Sequence, residues 1–144
     1  MFVFCNLNPL ARTTSDCAIR ACAMATNLDW DRTYKEIAWL GQQMASMPDQ
    51  GAVWGAYLRR HGFKRAVIPD QCPDCYTVER FCEDHPKGTY VLAIVGSPGH
   101  VVTAIDGDYY DIWDCGDEIP SFYYYKGVEH EYPTDYGNVS AVYE

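Results

Sequence analysis

Gly99 to Asp114 reads GHVVTAIDGDYYDIWD, and this stretch decides how the chain is organised. Val101, Val102, Ala104 and Ile105 suit a pleated, half-buried strand, as do Tyr109, Tyr110, Ile112 and Trp113. Asp106-Gly107 between them is a two-residue turn that needs positive φ, which Asp and Gly tolerate best. With that pair as the loop, Ile105 pairs with Asp108, Val102 faces Asp111, and His100 falls opposite Trp113. Side chains alternate across a strand, so His100 and Asp111 share a face one diagonal step apart. Asp114 points the other way unless the loop is one residue longer. A histidine beside a carboxylate is half of an acid–base site, and the rest of the chain must supply a nucleophile.

The chain has 144 residues, enough for one domain (1–144) that buries about two thirds of its unfolded surface. Its apolar content of 48% and its twelve tyrosines point to a folded globule with aromatic-rich strands, not to disorder. A formal net charge of -9 argues against binding to nucleic-acid backbones, which calls for clustered Lys and Arg, and disfavours an anionic membrane surface. No apolar run approaches the ~20 residues of a membrane span. MFVFCNLNPLAR has no basic start and no long apolar core, so it reads as a first strand and not as a signal peptide. Seven cysteines without an export signal imply reduced thiols in a cytoplasmic compartment.

Along the chain, Met1–Cys5 reads as a strand. Thr14 or Ser15 can cap a helix from about Asp16, rich in small residues and closed by Asn27. A second helix follows Asp29, from about Trp30 to Met44, with Trp30, Tyr34, Ile37 and Leu40 or Gly41 inward. A third runs from about Ala52 to His61 and stops at Gly62. FKRAVIP is a strand, and 77–84 a small helix. TYVLAIVG, the opening hairpin, SFYYYKG and VSAVYE complete the strands, with the last at a sheet edge and the Tyr123–Tyr125 rings alternating between core and solvent. The layout is α+β, with N-terminal helices packed on a C-terminal antiparallel sheet.

Cys17 is the candidate nucleophile. A thiol in the first turn of a helix feels the positive end of the dipole, which favours thiolate. A histidine alongside lowers its pKa further, and an acid behind the ring orients it. Cys17, His100 and Asp111 meet those requirements in chain order, with Asp114 as the alternative acid. Arg20, Asp114 and Asp117 are charged groups near the site that can orient substrate. A second constellation, Cys72-x2-Cys75-x6-Cys82-x2-His85, has the spacing of a tetrahedral zinc knuckle, or else is a set of packed thiols and a turn. Cys5 and Cys22 read as core, and Cys115 as an exposed or half-buried loop thiol.

DCAIRA followed by GHVVTAIDGDYYDIWDCGDE resembles the papain-like cysteine peptidase superfamily, in the compact form encoded by bacterial viruses and their hosts. The likeness covers Asp16–Ala25 and His85–Tyr125 and leaves the middle helices unmatched. Papain-type enzymes carry Asn-Ser-Trp on the strand after the histidine, and Asp111-Ile112-Trp113 occupies that place with Asp for Asn. Asp16-Cys17 is similar to the dipeptide of the superfamily's cell-wall endopeptidases. The resemblance implies a cysteine peptidase or related acyl-transfer hydrolase acting on a peptide or isopeptide bond, with Cys17, His100 and Asp111 as the triad and no cofactor. Papain-type enzymes also place a glutamine ahead of the cysteine to bind the oxyanion. Ala11 stands at that offset here, leaving Asn8, or Asn6, as the side-chain donor. The alternative is a non-catalytic binding or host-interaction protein on the same fold, with a structural zinc knuckle at Cys72–His85.

Overall fold

The computed structural model describes residues 1–69, 76–96 and 98–126. Among them the elements run β1 (Phe2–Phe4), α1 (Cys17–Thr26), α2 (Trp30–Gln43), α3 (Gly51–Arg60), β2 (Lys64–Val67), α4 (Val78–Asp84), β3 (Thr89–Ile94), β4 (His100–Ile105), β5 (Asp108–Asp111) and β6 (Phe122–Lys126). The VSAVYE segment, 139–144, lies outside the described residues. No helix among those described is long and apolar enough to cross a membrane.

The class is α+β, and the strands form one six-stranded sheet in the order β1-β5-β4-β3-β6-β2. It is mixed, not antiparallel: β1 pairs parallel with β5, Phe2 opposite Tyr109. A parallel neighbour needs a long crossover, and here that crossover contains all four helices of the described residues, so no local pattern announces it. The hairpin follows the turn chemistry. Asp106 (φ 50°) and Gly107 (φ 85°) both take positive φ. Ile105 pairs with Asp108, Ala104 with Tyr109 and Thr103 with Tyr110.

Both faces of the sheet are covered. Val91, Ala93, Val101 and Tyr124 pack with Ala18, Ile37, Trp54 and other residues of α1–α3. Tyr90, Leu92, Val102 and Tyr123 pack on the other side with Val78, Phe81 and Cys82 of α4. Tyr123 and Tyr124 therefore alternate between two cores rather than between core and solvent, because α4 closes the second face. A strand buried on both sides reads as a nearly continuous apolar run, and β3 does.

α1 lies close against β4. Its small side chains let the backbone approach until Thr103 Oγ1 donates to the Ala21 carbonyl at 2.6 Å. Asp16, not Thr14 or Ser15, holds the N-cap position, and its side chain makes no cap bond. Asn27 closes the helix in the left-handed region at φ 56°. Asp29 caps α2 by accepting from the Arg32 N–H at 2.7 Å. The inward stripe of α2 is Thr33, Ile37, Leu40 and Gly41. Tyr34 is 47% exposed and stacks on Trp30 instead of entering the core. Gly62 stops α3 at φ 88°.

Candidate active site

Cys17 is the first residue of α1. The first intrahelical hydrogen bond runs from the Arg20 N–H to the Asp16 carbonyl, so the N–H groups of Cys17, Ala18 and Ile19 precede the ladder. They supply the positive end of the helix dipole beside the thiol. Burial pushes the Cys17 thiol up, but hydrogen bonding to His100, the imidazolium charge, the Val101 N–H and Arg20 more than offset it. The net pKa is lowered.

His100 opens β4, and its Nε2 lies 2.5 Å from Asp111 Oδ2. That bond leaves Nδ1 as the ring nitrogen not engaged by Asp111. Burial favours the neutral ring, yet the bonds to Asp111, Cys115 and Cys17 and the Asp111 charge hold the pKa well above the ordinary histidine value. The Trp113 ring sits 4.9 Å from the imidazole, centre to centre, and is half exposed over it.

Asp111 is 1% exposed, and both its oxygens are occupied. Besides His100 it accepts from the Ile112 N–H at 2.8 Å and Arg20 Nη1 at 3.1 Å, both on Oδ1. Burial raises its pKa, and the His100 hydrogen bond and charge, Ile112 and Arg20 bring it below the usual carboxylate value. Arg20 Nε in turn donates to Asp16 Oδ1 at 2.8 Å. Asp16 Oδ2 accepts from Asn8 Nδ2 and Trp30 Nε1, each at 3.0 Å. A buried polar chain thus runs Asn8–Asp16–Arg20–Asp111–His100–Cys17. Each charge in it has an opposite partner, as desolvated charges require.

The structure brings Cys17, His100 and Asp111 together and assigns other work to the remaining candidates. Asn8 is drawn into the support behind the site: its Nδ2 donates to Asp16, and its oxygen accepts from the Leu10 and Arg12 N–H groups. A buried carboxylate at Asp16 claims that donor. Asn6 likewise braces the loop, donating to the Arg12 carbonyl. Asp114 accepts from the Tyr109 hydroxyl at 2.5 Å and the Gly116 N–H at 3.0 Å, because the two-residue turn keeps it off the face of His100. Arg20 is buried, with its guanidinium committed to Asp16 and Asp111.

Of the zinc set, Cys72 and Cys75 lie outside the described residues. Cys82 is buried, and desolvation pushes its thiol up to about 12, away from the thiolate a metal needs. His85 stacks on Phe81 and has Nδ1 held 2.7 Å from the Phe81 carbonyl oxygen. These two act as core and helix-stop residues.

Sequence reasoning missed Cys115, which is fully buried with its sulfur beside His100 and Asp111. It also missed that Asp16 and Arg20, four apart on a helix otherwise made of small residues, form a buried pair. Charges spaced i,i+4 on so apolar a helix were the available signal. Ligand atoms of His100, Asp111 and Cys115 lie within 4.8 Å of one another, a nitrogen–oxygen–sulfur set of the kind zinc takes. Arg20 already supplies a positive charge to Asp111 in that set.

The triad opens on a cleft of about 760 Å³ lined by Thr14, Ser15, Gln50, Trp54, Trp113 and Phe122, among others. Such a site can present a thiolate, a proton donor and unpaired backbone N–H groups to one carbonyl. No family model, curated protein or solved structure matches the chain.

Proposed function

We propose that the protein is a cysteine peptidase or related acyl-transfer hydrolase of papain-like type. The observation that carries this reading is the His100–Asp111 bond at the wall of the cleft that Cys17 also lines, with the thiol pKa lowered and the imidazole pKa raised. Opposed shifts of this kind favour a thiolate–imidazolium pair near neutral pH.

Cys17 Sγ attacks the substrate carbonyl carbon, forming a C–S bond as the carbonyl π pair moves to oxygen. The N–H groups of Cys17 and Ala18 at the tip of α1, which precede the helix's own hydrogen bonds, stabilise that oxyanion. His100 gives its Nδ1 proton to the leaving amine, the C–N bond breaks, and a thioester remains. Water then attacks the thioester while His100 takes its proton. The C–S bond breaks, the acid leaves, and the thiolate is restored. Asp111 holds the ring in place and stabilises its charge in both halves. Its substitution for the asparagine of papain-type enzymes adds a full negative charge to that role.

Iodoacetamide labelling across pH tests the pair. At pH 6 an ordinary thiol is under about 1% ionised, so Cys17 should react at least tenfold faster than any other cysteine. Labelling of Cys17 no faster than the rest, or a Cys17→Ala variant that hydrolyses an activated ester as well as the parent, ends this reading.

A further inference from the structure

A second hollow, of about 320 Å³, lies beside the cleft and shares Thr14, Ser15, Ala18 and Asp49 with it. Its far wall is built from Trp30, Tyr34, Met47 and Pro48. We propose that this hollow takes a lysine or arginine side chain of the substrate, with its stem on Trp30, Tyr34 and Met47 and its charge at Asp49. The inference rests on the acyl-transfer reading for the position of Cys17 and adds the substrate class.

Three observations converge on a cationic occupant with an apolar stem. The wall offers two aromatic rings, stacked at 5.1 Å, and a methionine that is 65% exposed, surface that a long aliphatic chain covers well. Asp49, on the ridge between hollow and cleft, is exposed and makes no ion pair or side-chain hydrogen bond among the described residues. Asp16, the other acid in the wall, is already neutralised by Arg20, so Asp49 supplies the net charge of the hollow. A cation over aromatic rings and beside a carboxylate gains from both. The chain's net charge of -9 favours encounter with cationic substrates as well.

The wall is held in shape rather than left loose. The Ser46 N–H donates to the Gly41 carbonyl at 2.8 Å, and a Cβ on Gly41 would come within 2.7 Å of the Ser46 oxygen. Ala45 takes φ 51°, a left-handed conformation that a non-glycine residue rarely adopts. Gln50, the N-cap of α3, closes the turn by donating its N–H to the Met47 carbonyl at 3.0 Å. These bonds fix the turn on which Met47, Pro48 and Asp49 line the hollow.

Peptidyl acyloxymethyl ketones carrying lysine, norleucine or glutamate within two residues of the reactive carbonyl test the proposal, because they alkylate Cys17 in a single turnover. Lysine and norleucine share a stem and differ in the charge. The lysine probe should label about tenfold faster than norleucine and faster still than glutamate, with the margin shrinking as salt is raised. Asp49→Asn should bring the lysine-to-norleucine ratio close to one, and Tyr34→Leu should lower it about threefold. Equal rates for lysine and norleucine, or a ratio that Asp49→Asn leaves unaltered, overturn the proposal. If no peptidyl probe labels while iodoacetamide still selects Cys17, the hollow is not a substrate site and the triad stands. If iodoacetamide does not select Cys17, the acyl-transfer reading falls first.

Discussion

Arg20→Met removes the cation between two buried carboxylates while keeping an unbranched chain of similar length. Arg20 is 7% exposed, Asp16 6% and Asp111 1%, so solvent cannot compensate for the loss. Breaking a buried ion pair costs about 3–5 kcal/mol, chiefly because it strands the remaining charge. Asp111 retains His100, so most of the penalty falls on Asp16, which keeps only the neutral donors Asn8 and Trp30. For a chain of this size the loss corresponds to a fall in Tm of about 10–15 °C at pH 7. The pH dependence follows from the sign of the shifts. Burial pushes Asp16 up, and the Arg20, Asn8 and Trp30 hydrogen bonds and the Arg20 charge bring it below its ordinary value. A depressed carboxyl pKa contributes stability above the unfolded value of about 3.9, and that contribution is lost as pH falls through the folded value. Without Arg20, burial dominates, the folded pKa rises, and the penalty at neutral pH is relieved by protonation. The gap between parent and variant is therefore widest at pH 7 and narrows as pH falls through the variant's raised folded value toward about 4. Urea unfolding at pH 7, 5 and 4 measures it. A loss under about 1 kcal/mol at pH 7, or a gap that stays constant on acidification, would refute the claim that Arg20 neutralises a buried acid.

Asp111→Asn keeps the side-chain shape but removes the charge behind His100. The imidazolium should then lose its proton at lower pH and the Cys17 thiol ionise at higher pH. Iodoacetamide labelling at pH 6 should fall about tenfold or more, with the pH profile moved upward, and an unchanged profile would count against the triad. Thr103→Val deletes the 2.6 Å bond that ties β4 to the Ala21 carbonyl, and should cost about 1 kcal/mol in urea melts. No loss would mean that the α1–β4 approach is held by packing alone. In Gly116→Ala the new Cβ would lie 2.3 Å from the Tyr109 hydroxyl and 3.0 Å from Asp114 Oδ1. The displaced Tyr109–Asp114 pair should lower stability by about 1–3 kcal/mol, seen as a drop in Tm, and a neutral result would show that the loop yields freely.

Much of the site could be read from residues close together in the chain. Strand periodicity and the Asp106-Gly107 turn determine the hairpin register, and the register alone puts His100 and Asp111 on one face and sends Asp114 to Tyr109. Asp29, Asn27 and Gly62 mark helix ends because capping and left-handed φ are local requirements. The swing of Tyr34 out of the core was not legible, since periodicity gives the spacing of a stripe but not which flank the neighbouring helix covers.

The remainder depended on tertiary contacts. The parallel docking of β1, the closing of the second sheet face by α4 and the burial of Cys115 against His100 all join segments far apart in the chain. Asn8 was read as a free donor because nothing local shows that Asp16 is buried. Once α1 packs on β4, desolvation makes Asp16 recruit Asn8, Trp30 and Arg20, and Arg20 reaches Asp111 as well. The sequence by itself determined which histidine and which acid face each other, because a turn and a period of two suffice for that. Only the tertiary structure decided what holds that acid ionised and brings Cys17 to the ring, because the strength of a charge depends on how much water the rest of the fold removes from it.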